Sequence, residues 1–238
     1  RLVGSEMCIR DRAGGGRNPR PGEITLAHRG VLFLDEMPEF SRRSLEILRQ
    51  PLEDKVIRIS RVYGTYDFPA DFMLCAAMNP CPCGHYPDMN RCRCTPAQVM
   101  QYLGRISQPL LDRLDLCAEV SPVDFEGLNS GRKGESTQTI RERVICAQDI
   151  QRERYKIEGI QFNGELSGAQ IEKYCKMEKD ARQLLKMAFQ NMPFSARAYH
   201  RILKVARTIA DMEATESIHR HHIAEALSYR AFDKKYWN

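Results

Sequence analysis

Apolar residues gather in this chain as two short continuous runs within its first 80 residues and as helical stripes after about residue 137. The first run, Val31-Leu32-Phe33-Leu34, shows no alternation and ends at Asp35-Glu36. A short unbroken run of this kind fits a strand buried on both faces of a parallel sheet. The chain reaches it through Ile24-Thr25-Leu26-Ala27 and a turn at Gly30. Beyond it, Ser41 is placed to cap a helix over Ser44–Arg49 that turns Leu45 and Leu48 inward. Val56, Ile57, Ile59 and Val62 then alternate with charged neighbours, and after Gly64-Thr65 the chain returns through Tyr66-Asp67-Phe68, which predicts a hairpin. The second run, Phe72–Met78, predicts another buried strand and stops at Asn79-Pro80. Two buried strands that end in polar residues imply a site at the carboxyl edge of a parallel sheet.

Further along, the pattern predicts a helix from about Pro96 to Ile106, a segment Pro109–Leu116, and a third short strand ending near Val120. Ser121–Thr137 is rich in Ser, Gly and charge and reads as a linker. After it the pattern is helical over Thr139–Tyr155, Ser167–Lys173, Lys179–Met192, Ser195–Glu213 and His219–Phe232. The fold class is therefore α/β: a core with a partial parallel sheet over 14–121, a linker at 122–136 and an all-α domain over 137–238. The opening RLVGSEMCIRDR has neither helical nor strand periodicity, so residues 1–13 read as a non-native leader outside the fold argument.

Composition narrows the picture modestly. At 238 residues and 42% hydrophobic, the chain has room for a core domain plus a smaller one. A net charge of +5, from 36 basic and 31 acidic residues, permits a nucleic-acid partner without demanding one. No run approaches the roughly 20 apolar residues that span a bilayer, and the first residues lack a secretory apolar core, so a cytoplasmic protein with no membrane partner is expected. Of nine cysteines, four crowd between 81 and 94, which favours a metal site in a reducing compartment over a disulfide framework.

Asp35 and Glu36 at a strand tip suit nucleotide hydrolysis, the first holding water around Mg²⁺ and the second polarising the attacking water. Their plainer role is two acids at a helix start. Asn79, ending the next strand, could orient the same water or touch a terminal phosphate, or merely start a turn before proline. Arg113 sits between Asp112 and Asp115 in an apolar frame, where a guanidinium suits the charge of phosphoryl transfer or forms a local ion pair of little energetic value. Cys81-x-Cys83 and Cys92-x-Cys94 could give four thiolates to one tetrahedral Zn²⁺, with His85 as a spare donor, or could be reduced structural cysteines or a redox pair. In Ser195–Glu213, Ala198, Ile202, Val205, Ile209 and Met212 form an apolar stripe, and Arg197, Arg201 and Lys204 line a basic face. His219, His221 and His222 read as a surface cluster at a helix start, because the adjacent His221 and His222 point to different faces. No G-x-x-x-x-G-K-[ST] occurs, and Gly14-Gly15-Gly16-Arg17 lacks its lysine and hydroxyl.

Five blocks in order, GGGRNPRPGEITLAHRGVLFLDEMPEF, AAMNPCPCG, CRCTPAQV, RISQPLLDRLDL and FSARAYHRILKVARTIADME, resemble the magnesium-chelatase-like AAA+ ATPases and within them the ComM/YifB family. The resemblance runs from about Gly14 to Trp237. It implies an AAA+ core with a helical lid and a hexameric ATPase using ATP and Mg²⁺, with a phosphate-binding loop upstream of this chain. It also implies Asp35 and Glu36 as Walker B, Asn79 as sensor 1, Arg113 as a finger acting on a neighbouring subunit, and Arg197 as the sensor 2 arginine that touches nucleotide. The Lys55–Phe68 hairpin resembles the insertion that faces the pore in related helicases. Three functions follow as expectations. One is a DNA motor for branch migration in recombination or transformation, with this chain alone inactive. Another is the ATPase subunit that assists Mg²⁺ insertion into a porphyrin. The third is a non-catalytic zinc-stabilised DNA-binding module.

Overall fold

The structure is a computed structural model, and it describes residues 2–3, 20–61, 64–120, 134–191 and 194–230. These fall into two compact units that divide between Leu114 and Asp115. The first is mixed α/β with a small parallel sheet; the second is helical. The predicted linker lies mostly outside the described residues.

In the first unit a three-stranded parallel sheet runs in the order β1 (Leu2–Val3), β2 (Val31–Leu34), β5 (Met73–Ala76). Leu2 and Val3 pair with Phe33 and Leu34, so the opening segment contributes an element that its missing periodicity did not signal. Two residues are too short to show alternation. β5 pairs with β2 from Val31↔Met73 to Leu34↔Ala76. Helix α1 (Glu23–Leu26) occupies the stretch predicted only as an approach to the Gly30 turn. The predicted Ser44–Arg49 helix is two short ones, α2 (Arg42–Glu46) and α3 (Arg49–Asp54). Ser41 caps α2, its hydroxyl accepting the Ser44 N–H at 3.2 Å, and Leu45 and Leu48 are buried as predicted.

The predicted hairpin is present as β3 (Val56–Arg61) and β4 (Gly64–Pro69), antiparallel, with Ile57 and Ile59 buried and Arg58 paired across to Asp67. Helix α4 covers Pro96–Leu103 and α5 covers Gln108–Leu111. The expected burial of both central strands needs correction. β2 buries Leu32 and Leu34, but in β5 Met73, Cys75 and Ala76 are exposed. β5 is an edge strand of this sheet, so one side of it has no described neighbour. The core gathers Ile24, Leu32, Leu34, Phe40, Leu45, Ile57, Ile106 and Leu111.

No strand forms at 115–120; instead the Cys117 N–H donates to the Tyr229 carbonyl at 3.1 Å within the helical unit. The helices there are α6 (Thr137–Arg154), α7 (Gly168–Tyr174), α8 (Lys179–Asn191), α9 (Ala196–Met212) and α10 (Arg220–Ser228). α9 is the central element, and its buried face keeps most of the predicted stripe, with Ala198 and Ile202 buried and Val205 and Ile209 packed against the core, but it is wider than predicted. Ala198, Ile202, Leu203, Ala206, Arg207, Ala210 and Asp211 are buried, whereas Met212 is exposed. Asp211 accepts a bidentate pair from Arg154 and a further bond from Arg207 Nε at 3.1 Å. Asn163 donates to the same carboxylate at 2.8 Å. Two arginines on one buried acid account for its charge, because a lone buried carboxylate would be far too costly to keep ionised.

No helix of the described residues is long and apolar enough to cross a membrane.

Candidate functional site

The carboxyl edge of the sheet carries the first group of candidates. After Leu34 the chain leaves β2 sharply: Glu36 adopts φ 47°, ψ 50°, a left-handed backbone uncommon for a residue with a side chain. Asp35 supports the bend, its Oδ1 accepting the Glu36 N–H at 3.0 Å. Ala77, just past β5, donates to the Leu34 carbonyl at 2.9 Å and accepts from the Met37 N–H at 3.0 Å. These two bonds stitch the exits of both strands together. Asp35, Glu36 and Asn79 are all exposed at this edge, and among the described residues neither acid enters an ion pair. Two solvent-facing carboxylates can bind a hydrated Mg²⁺ and polarise a water.

Arg113 is placed differently from a projecting finger. Its side chain is 8% exposed and turned inward, Nη2 donating to Glu53 of α3 and Nη1 to the Pro109 carbonyl at 2.6 Å. Its Nε is buried, with no hydrogen-bond partner among the described residues. Arg105, which the sequence did not single out, lies nearer the acidic turn: Nη1 donates to the Pro38 carbonyl at 2.7 Å and to Glu39 at 3.1 Å. Nothing in its local sequence marks it, because its partners lie more than 60 residues upstream.

The four clustered cysteines converge. All four sulfurs lie within 4.8 Å of one another, with Cys81–Cys83 at 3.4 Å, Cys83–Cys92 at 3.6 Å and Cys81–Cys92 at 3.8 Å. A Zn–S bond of about 2.3 Å in a tetrahedron sets sulfurs about 3.8 Å apart. The Tyr86 N–H donates to Cys81 Sγ at 3.4 Å, and the His85 and Arg93 backbone N–H groups hold the Cys83 thiol down to about 5. Burial, with the neighbouring sulfurs, pushes Cys94 up to about 12. The His85 side chain is not among the ligand atoms that converge.

In the helical unit Arg197 is exposed near the start of α9. Arg201 pairs with Asp115, and Lys204 Nζ donates to the Gly164 carbonyl at 2.9 Å, so neither is a purely solvated charge. The histidine cluster also needs correction, since His222 is fully buried. Its Nδ1 accepts the His219 N–H at 3.0 Å, which puts the neutral ring's proton on Nε2, 3.0 Å from Glu213. His221 and His222 both reach Glu213, at 2.9 and 3.0 Å, so the three side chains are held together by hydrogen bonds near the start of α10.

Residues 8–128 match the family described as magnesium chelatase, subunit ChlI, and residues 134–230 match magnesium chelatase, subunit ChlI C-terminal. The chain is 48% identical over 223 residues to the uncharacterized protein YifB of Salmonella typhimurium, covering 93% of this chain and 43% of that protein. It is 48% identical over 219 residues to competence protein ComM of Haemophilus influenzae, covering 92% and 42%. An uncharacterized protein of Mycobacterium tuberculosis is 40% identical over 217 residues, covering 91% and 43%. The chain thus spans less than half the length of these relatives.

Proposed function

The chain belongs to the magnesium-chelatase-like ComM/YifB family, and from that premise we propose that it forms the hydrolytic edge and lid of an AAA+ ATPase that remodels DNA. The observation that carries this reading is the stitched carboxyl edge, where Asp35 and Glu36 follow β2 and Asn79 follows the adjacent parallel strand β5. Asp35 would hold Mg²⁺, which when bound supplies charge neutralisation on the phosphates. Glu36 orients and polarises the attacking water, and Asn79 helps fix its position. The fit is one-sided: Asp35 and Glu36 are suited to the metal side of the site, whereas the glycine-rich cradle with its lysine does not occur in these 238 residues. This chain alone is therefore expected to show no sustained ATP hydrolysis.

In the full-length protein, working in the cytoplasm as a hexamer, Arg113 would leave Glu53 and reach a neighbouring subunit's nucleotide, with Arg197 contacting nucleotide from the lid. DNA is the favoured partner because one relative is named a competence protein, and branch migration during transformation is the process that fits. The β3–β4 hairpin is its natural contact, although Arg58 is already paired with Asp67 at 2.9 and 3.1 Å. A structural Zn²⁺ on Cys81, Cys83, Cys92 and Cys94 completes the reading.

In the full-length protein, Glu36→Gln is expected to keep nucleotide binding and lower turnover by about 10²-fold or more. Equilibrium binding and steady-state phosphate release check this; unchanged turnover would remove Glu36 from the mechanism.

A further inference from the structure

The loop between β5 and α4 is joined to the hydrolytic edge from two sides. On one side, Cys81 follows Asn79 by two residues, and Gly84 turns back toward that amide at φ 79°. A methyl group added at Gly84 would lie 4.0 Å from both Cγ and Oδ1 of Asn79. On the other side, Cys94 is followed at once by Thr95, which caps α4 in a reciprocal pair: its hydroxyl accepts the Gln98 N–H at 3.3 Å, and its own N–H donates to Gln98 Oε1 at 2.8 Å. Val99, Tyr102 and Leu103 of α4 pack on Cys81, with Cys83, Cys92 and Cys94 around them. The sulfur cluster is thus the base on which this helix is seated.

The far end of α4 carries the link onward. Gly104 approaches so closely that a Cβ there would stand 2.8 Å from the Met100 carbonyl, a separation side chains do not tolerate. The tight exit delivers Arg105 to the Pro38 carbonyl and to Glu39, in the turn immediately after Glu36.

We propose that the tetrathiolate cluster is a brace for the hydrolytic edge: a zinc ion on Cys81, Cys83, Cys92 and Cys94 makes the loop and α4 one rigid body. That body positions Asn79 directly and the Glu36 turn through Arg105. The proposal rests on reading the cluster as a zinc site, and it makes Arg105 a positioning residue with no contact of its own to reacting atoms. Residues that touch no substrate but hold the ones that do are how a fold keeps a site on rigid support.

The test uses the whole 238-residue chain. Zinc per chain is measured by elemental analysis, and amide hydrogen exchange is compared for the wild type, chelator-stripped protein, Cys92→Ser and Arg105→Ala. Cobalt exchanged into the site gives a thiolate-to-metal charge-transfer band as an independent signature. One zinc per chain is expected, and stripping it should speed exchange at least about tenfold at Leu103, Gly104 and Ile106 and also at Met37, Glu39 and Phe40, with α9 unchanged. Arg105→Ala should loosen the 37–40 turn alone, leaving zinc and α4 intact. If zinc binds but its removal leaves 37–40 protected, the brace is overturned while the zinc site stands. If no zinc or cobalt binds and Cys92→Ser changes nothing, both are overturned. Faster exchange in α9 as well would also count against a local brace.

Discussion

Glu36 adopts a left-handed backbone, while Asp35 commits one oxygen to its amide. A residue with a Cβ held there costs about 1–3 kcal/mol, a cost that glycine would avoid. Glu36→Gly is therefore expected to be no less stable than the wild type, gaining up to about 1 kcal/mol in urea unfolding, and to be inactive in the full-length protein. A loss exceeding that amount would show that the Glu36 side chain stabilises the turn. The identity of the two acids was legible in the sequence, because an apolar run ending in Asp35-Glu36 is a local pattern. The bend was not, since it depends on Ala77 receiving the Met37 N–H from 40 residues away. Arg113 shows the same limit: its type and frame were readable, but its inward pairing with Glu53 depends on α3 packing beside it. Glu53→Ala leaves that guanidinium short of a partner and should lower stability by about 1–3 kcal/mol, measured by denaturant midpoint.

Among the elements, α9 depends most on buried polar bonding. Asp211 is fully buried between Arg154 and Arg207, and Arg207 also donates to the Thr215 and Glu216 carbonyls. Removing the acid strands two cations, so Asp211→Ala is expected to cost about 3–5 kcal/mol. Thermal unfolding of the variant checks it, and a cost under about 1 kcal/mol would mean that the arginines find other partners or water. The predicted stripe of α9 found Ala198, Ile202, Val205 and Ile209 but missed Arg207 and Asp211, because apolar periodicity gives no credit to an arginine or aspartate that is paired inside. A second electrostatic element joins the end of α6 to α7. There Glu158 accepts from Lys173, Tyr174 and Gln170, which hold its carboxyl down to about 2 against an ordinary 4.5. In that window the unfolded chain binds more protons, so the stabilisation is complete above about pH 4.5 and is lost as pH falls toward 2. Glu158→Gln should flatten the pH dependence of unfolding over that range, and identical slopes would contradict the assignment.

Across the whole molecule, the order of elements was largely readable: two short apolar runs, a hairpin and a series of amphipathic helices appear where periodicity placed them. What escaped were features set by neighbours. β5 is exposed because it forms an edge of the sheet, and 115–120 forms no strand because Cys117 bonds to Tyr229 in the helical unit. The four cysteines were legible as a group from spacing and by their place just after Asn79, while the packing of α4 on them and the bonds of Arg105 beyond it appear only with the fold. The proposed function assigns Asp35 and Glu36 to a motor acting on DNA. It is tested most directly by steady-state ATP hydrolysis of the full-length protein, with and without branched DNA, beside its Glu36→Gln variant. Turnover stimulated by branched DNA and abolished in the variant is the predicted result; absence of turnover in the wild type under both conditions would contradict the motor and leave a binding module.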